Sequence, residues 1–167
     1  MQIRPEQPAD ISQIEAVTTA AFKTQAYSAG TEAQIIAALR EADELTLSLV
    51  AEEGPSVIGQ ITFSPVPIGG RAEGWFGLGP VAVTPDRHGQ GIGGALIRAG
   101  LTALESQGAQ GCVLIGDPNY YARFGFVGES GLTYRDVPTA YVQQRGLADS
   151  RRQVGEILYA PAFEATA

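Results

Sequence analysis

The chain has little sulfur and little positive charge. Its single cysteine, Cys112, has no partner for an internal disulfide, which excludes a disulfide-stapled fold. One cysteine and one histidine make no metal-binding cluster, so no metal is expected. Lys and Arg together number 11 against 18 Asp and Glu, a net charge of −7, and the basic residues are scattered. A nucleic-acid surface needs a basic stripe, and none is visible. No apolar run reaches the length of a membrane-crossing helix, and Met1-Gln2-Ile3-Arg4-Pro5-Glu6 lacks the apolar core of a signal peptide. These absences lead us to expect a soluble cytoplasmic protein with no nucleic-acid or membrane partner. An acidic body of this kind steers cations, such as amines, toward itself.

What the chain does have is glycine. Four of its 21 glycines fall within six residues, in the stretch Val81-Ala82-Val83-Thr84-Pro85-Asp86-Arg87-His88-Gly89-Gln90-Gly91-Ile92-Gly93-Gly94-Ala95-Leu96. It reads as a β-branched strand, a proline-marked turn, a glycine corner and an amphipathic helix. Gly89, Gly91, Gly93 and Gly94 allow tight turning and leave no side chain between the amides and a ligand. A helix opening there aims unpaired N–H groups and the positive end of its dipole into the corner, an arrangement suited to phosphate.

Gly89-x-Gly91-x-x-Gly94 also satisfies the dinucleotide-binding fingerprint. Three features speak against that reading. Five residues, Thr84 to His88, separate the strand from the first glycine. Gly111 stands where an acidic residue is expected about 20 positions on, and Asp117 comes too late. About half the chain precedes the motif, whereas a dinucleotide-binding domain opens with it. A P-loop fails because Gly93-Gly94-Ala95 offers no Lys followed by Ser or Thr.

At 167 residues, with 44% apolar and 17% charged residues, the chain is expected to form one domain over 1–167. Ile3 and Arg4 begin a short strand. Asp10 with Gln13 reads as a capping box opening a helix to Phe22, and Thr31 with Gln34 opens a second helix bearing Ile35, Ile36 and Leu39. Thr46–Glu52 is a strand. In the next, Val57, Gly59, Ile61 and Phe63 alternate with Ile58, Gln60, Thr62 and Ser64, the pattern of a half-buried strand. Residues 65–74 are loop. Trp75–Val83 is a central strand interrupted by Gly77, Gly79 and Pro80, which suggests a bulge or an unpaired edge. A helix runs from Gly91 to Ser106, with Gly108 as its cap. Cys112–Ile115 is a buried strand and Tyr120–Phe124 a short helix. Leu132–Tyr134 and Glu156–Tyr159 read as strands, with 138–152 between them as helix or loop.

This element order and the glycine corner resemble the GNAT superfamily of N-acetyltransferases over about residues 1–135. The family's pyrophosphate loop reads Arg/Gln-x-x-Gly-x-Gly/Ala, and His88-Gly89-Gln90-Gly91-Ile92-Gly93 occupies those positions. The first residue departs: His88 stands for Arg or Gln, with Arg87 one position early. Tyr121-Ala122-Arg123-Phe124-Gly125-Phe126 matches the family's Tyr-x-x-x-Gly-Phe pattern.

The resemblance implies an α/β fold of the α+β kind. Its central sheet is mixed and mostly antiparallel, with about six to seven strands flanked by helices and a splay between strands four and five. It further implies an acyltransferase that moves acetyl from acetyl-CoA to a primary amine of a small molecule or peptide, directly within a ternary complex, with a homodimer as the possible assembly. The implied cofactor residues are Val81, Ala82, Val83, His88, Gly89, Gln90, Gly91, Ile92, Gly93, Gly94, Asn119 and Tyr121. Val81 and Val83 would pair with the pantetheine arm, and an N–H near Val81 would stabilise the oxyanion. Tyr121 is the implied general acid, since a neutral phenol donates a proton at neutral pH.

No base is singled out among Glu32, Glu73 and Asp117. Asn119 after Pro118 also reads as a helix cap. Cys112, on an apolar strand, reads as core rather than nucleophile. Two other classes stay open on the residues: an acyl-CoA-binding module without catalysis, and a dinucleotide-binding oxidoreductase preferring NADH.

Overall fold

The protein is described from a computed structural model covering residues 1–71 and 73–164. Its strands are β1 (Gln2–Pro5), β2 (Leu47–Glu53), β3 (Ser56–Pro65), β4 (Trp75–Val83), β5 (Gly111–Ile115), β6 (Leu132–Thr133), β7 (Val142–Gly146) and β8 (Gly155–Glu156). Its helices are α1 (Ile11–Phe22), α2 (Glu32–Glu41), α3 (Ile92–Ser106) and α4 (Pro118–Tyr121). Hydrogen bonding orders six strands as β1-β2-β3-β4-β5-β7, and β6 pairs with β8 in a small parallel ladder. β1–β2, β2–β3 and β5–β7 are antiparallel, and β4–β5 is parallel. The parallel ladder joins Trp75, Phe76 and Gly77 to Gly111, Cys112 and Val113, and both strands continue beyond it.

The chain divides into two compact units. The first takes Met1–Phe63, Gly79–Gly100 and the stretch from Pro161. Here α1 presents Ile14, Val17, Thr18 and Ala21, a helical stripe at spacings of three and four, to Ile36, Val50, Val57 and Ala82. The expected capping box at Asp10 does not form. Gln7 caps a 3-10 turn over Pro8–Asp10, and the Asp10 carboxylate turns back to accept the Gln7 N–H at 2.7 Å and two bonds from Arg4. Gln13, the other half of the expected box, ties α1 to the hairpin by accepting the Val57 N–H at 2.9 Å. Thr31 precedes α2 without a side-chain cap bond.

β3 corrects the half-buried expectation: every residue from Val57 to Ser64 is buried. A strand flanked on both edges, with both faces covered, has no water for its polar row. Gln60, Thr62 and Ser64 therefore lie in the interior, a placement that polarity alone does not announce.

The second unit takes Ser64–Leu78 and Leu101–Ala160. Its core is Val66, Ile68, Trp75, Val113, Leu132, Val142 and Ile157. β6 covers Leu132 and Thr133 of the expected Leu132–Tyr134, and β8 shares only Glu156 with the expected Glu156–Tyr159. The stretch 138–152, expected as helix or loop, contains β7, which pairs with β5 from Gly111↔Gly146 to Ile115↔Val142. Its sequence, Val-Gln-Gln-Arg-Gly, hides a strand because both glutamines are buried. Gln144 is satisfied by bonds with Ser130 and the backbone of Gln153.

Candidate functional site

The first constellation is the end of β4 and the head of α3, within the first unit. The strand is followed by Thr84, whose N–H donates to the Ile58 carbonyl at 2.9 Å and whose hydroxyl donates to Asp86 at 3.0 Å. A 3-10 turn over Pro85–Arg87 follows, pinned by the Arg87 N–H on the Thr84 carbonyl. The Arg87 guanidinium makes a double bond-pair with the Glu53 carboxylate, holding that carboxyl below its ordinary range. The His88 Nε2 lies 2.7 Å from the Val83 carbonyl and donates to it. Both side chains ahead of the glycines thus brace the turn: Arg87 anchors it to the β2–β3 hairpin and His88 to the strand end.

The glycines follow. Gly89 and Gly91 lie in the left-handed region, at φ 78° and 80°. Side-chain-bearing residues enter that region at a cost of roughly 1–2 kcal/mol, and a Cβ on either glycine would meet open space. His88 through Gly91 are exposed. The first intrahelical bond runs from the Ala95 N–H to the Gly91 carbonyl. The amides of Ile92, Gly93 and Gly94 therefore open α3 with no intrahelical acceptor. No backbone bond engages the amides of Gly89, Gln90 and Gly91 among the described residues. A glycine-rich row of donors at the head of a 15-residue helix, exposed as far as Gly91, fits a phosphate oxygen well.

Just upstream, Ala82 is buried in the core while Val81 and Val83 are half-buried. The Pro80 carbonyl accepts two side-chain donors, Gln60 Nε2 at 3.3 Å and Thr62 Oγ1 at 3.0 Å. In the sequence both read only as the polar side of a half-buried strand, not as site residues. The available signal was polar residues at alternate positions of a strand that is otherwise apolar.

The second constellation lies in the second unit and centres on Tyr121, the last residue of α4. Asp117, not Asn119, caps this helix: its carboxylate accepts the Asn119 N–H at 2.9 Å. The Asn119 side chain is exposed. After Tyr121 the chain closes in a Schellman turn, with the Phe126 N–H on the Tyr121 carbonyl and the Gly125 N–H on the Ala122 carbonyl. Gly125, at φ 85°, supplies the left-handed residue this turn needs, which is the physical content of the Gly in Tyr-x-x-x-Gly-Phe. The Tyr121 ring is half-buried and meets Tyr120, Phe124 and Phe126 edge-on or tilted, with centroids 4.9, 6.2 and 6.1 Å away. Tyr120 instead carries the Arg123 guanidinium over its face at 4.7 Å, as a packing residue. Beneath Tyr121 lies Gly116, whose carbonyl accepts the Gln143 side-chain amide at 2.9 Å.

The remaining candidates sort by surroundings. Cys112 is fully buried, and burial pushes its thiol well above the usual range, away from a nucleophilic thiolate. Glu32 accepts a bond from Ser28, Glu73 is exposed, and Asp117 serves as the cap. Among the described residues no helix is long and apolar enough to cross a membrane, and no three metal-ligating side chains come together.

Residues 11–126 match the acetyltransferase (GNAT) family. The chain belongs to this family of acetyltransferases. It is 41% identical over 128 residues to the uncharacterized N-acetyltransferase YhbS of Escherichia coli (strain K12), covering 75% of this chain and 73% of that one. A GNAT family acetyltransferase from Brucella melitensis, solved in complex with acetyl-CoA, is 50% identical with a TM-score of 0.86, over 97% of each chain. The Escherichia coli YhbS structure, in complex with CoA, is 33% identical with a TM-score of 0.90, over 99% of this chain and 93% of that one.

Proposed function

We propose that the protein is an acetyl-CoA-dependent N-acetyltransferase acting on a primary amine of a small molecule or peptide by direct transfer. The observation that carries this reading is the head of α3, where left-handed Gly89 and Gly91 lead into a run of amides that has no backbone acceptor among the described residues. Such a row fits the pyrophosphate of a coenzyme A, and the two relatives solved with acetyl-CoA and CoA support that choice over other phosphates. A bound acetyl-CoA supplies an acetyl group activated as a thioester.

The chain's own residues do the rest. The amides of Gln90 to Gly94 hold the pyrophosphate oxygens, and the turn braced by His88 keeps them in place. The backbone of Val81, Ala82 and Val83 pairs with the pantetheine arm, the Val81 N–H serves the thioester oxygen, and Asn119 contributes a polar contact to the cofactor. The acceptor ammonium first gives one proton to solvent, and the neutral amine nitrogen then forms a bond to the carbonyl carbon as the carbon–sulfur bond breaks. Tyr121 gives its phenolic proton to the departing sulfur, and the extra proton of the new amide passes to solvent. The acidic surface favours a cationic acceptor, and the unpaired thiol of Cys112 suits the reducing cytoplasm.

The test is thiol release from acetyl-CoA with a panel of primary amines: a polyamine, an amino-acid amide and a lysine peptide. The wild-type protein should acetylate at least one of them. Tyr121→Phe should lower kcat about 100-fold, the scale of a lost general acid, with little change in KM for acetyl-CoA. Thiol release unaffected by Tyr121→Phe would remove the phenol from the mechanism, and no transfer to any amine would favour a binding module.

A further inference from the structure

We propose that Gln60 and Thr62 are positioning residues that fix the direction of the Val81 N–H. The inference rests on the reading of Val81 as the donor to the thioester oxygen. Gln60 and Thr62 stand two residues apart on β3 and so project from the same face. Both are fully buried, and both give their side-chain donors to one acceptor, the Pro80 carbonyl, at 3.3 and 3.0 Å.

Stability does not account for this arrangement. Burying an amide or hydroxyl costs about 1–3 kcal/mol unless it is hydrogen-bonded, and the Gln60 Oε1 is buried with no partner among the described residues. An apolar residue at position 60 would remove that orphan. What the pair accomplishes is geometric. The cis peptide in this strand is Gly79–Pro80, and the one after it, Pro80–Val81, is trans. A planar trans peptide points its C=O and its N–H in opposite directions. With the Pro80 carbonyl held by two donors from β3, the Val81 N–H is held facing away from β3.

A donor fixed before the reaction stabilises developing charge without reorganising as the charge forms, which is the larger part of its value. One anchor leaves the peptide plane free to rock about the chain direction, and a second removes that freedom. Thr62 suits the task because its β-branched side chain is stiff at χ1. Gln60 and Thr62 then have a reason to be polar: they aim a backbone group on the neighbouring strand.

The experiment is isotope-edited infrared spectroscopy of acetyl-CoA labelled at the thioester carbonyl carbon, bound to the wild-type protein, Thr62→Val, Thr62→Ser and Gln60→Met. Bound to the wild type, the carbonyl stretch should move to lower frequency than in free acetyl-CoA. Thr62→Val and Gln60→Met should each lose much of that shift, and Thr62→Ser, which keeps the hydroxyl, should retain it. Affinity for CoA, which has no carbonyl, should be the same in all four. A full shift in Thr62→Val and Gln60→Met overturns the positioning role and leaves the acetyltransferase reading intact. Acetyl-CoA bound to the wild type with no shift overturns the Val81 donor itself, and failure of the wild type to bind acetyl-CoA overturns the proposed function.

Discussion

Gly116 and the ring of Tyr121 compete for the same space. A Cβ on Gly116 would come within 2.6 Å of Tyr121 Cε2 and 3.0 Å of Cδ2, and the Gly116 carbonyl is held by the Gln143 amide. The ring thus rests on bare backbone just past the end of β5. Gly116→Ala should push the ring aside and lower kcat about tenfold, equivalent to about 1.4 kcal/mol, with the KM for acetyl-CoA unchanged. Adding Gly116→Ala to Tyr121→Phe should cost nothing further in kcat. Steady-state thiol release from the two single variants and the double variant checks this, and additive losses would show that Gly116 acts elsewhere.

Cys112 is a core residue and should prove inert. Its side chain is fully buried, its thiol is pushed up by burial, and it lies on β5 in the parallel ladder. Cys112→Ala should keep kcat within about twofold while lowering stability by about 1 kcal/mol through the small cavity left behind. A thiol reagent should label the native protein only as fast as it unfolds. An acetyl group trapped on Cys112 would instead establish a ping-pong route.

The strands legible in the sequence and those hidden in it differ in one respect. β4 and β5 are legible because their apolar, β-branched residues match their burial, and the glycine corner is legible because φ near 80° is a demand that glycine answers. β7 is not, because the side-chain N–H groups of Gln143 and Gln144 donate to Gly116, Ser130 and Gln153, contacts set by other segments. The same holds for Asp10, whose role as a cap was displaced by Arg4 and Gln7. Tyr121 could be placed from its motif, but Gly116 beneath it could not, since nothing local distinguishes that glycine from a turn residue.

Asp10 sets an acid limit on stability. Its carboxylate accepts bonds from Arg4 at 2.7 and 3.0 Å and from the Gln7 N–H, and the Arg4 bonds, more than the Gln7 bond, hold it below its ordinary value of 3.8 against the opposing effect of burial. A carboxyl depressed in the folded state stabilises the fold above its unfolded pKa, and that contribution is lost as pH falls through the folded one. The urea midpoint should therefore hold near neutrality and drop once pH passes below about 4. Asp10→Asn should be less stable at pH 7 and flatter in that acid window. Equal acid sensitivity in the variant would assign the drop to other carboxylates.

The central claim is that the glycine corner binds an acyl-CoA, and calorimetric titration tests it most directly. Acetyl-CoA should bind the wild-type protein, while NADH and ATP should give no comparable heat. Gly91→Glu places a carboxylate in open space at φ 80°. The strain of about 1–2 kcal/mol is too small to unfold a domain of ordinary stability. This variant should therefore melt cooperatively yet show no acetyl-CoA heat. A wild-type protein silent toward acetyl-CoA, or a folded Gly91→Glu that binds it as tightly as the wild type, would contradict the account.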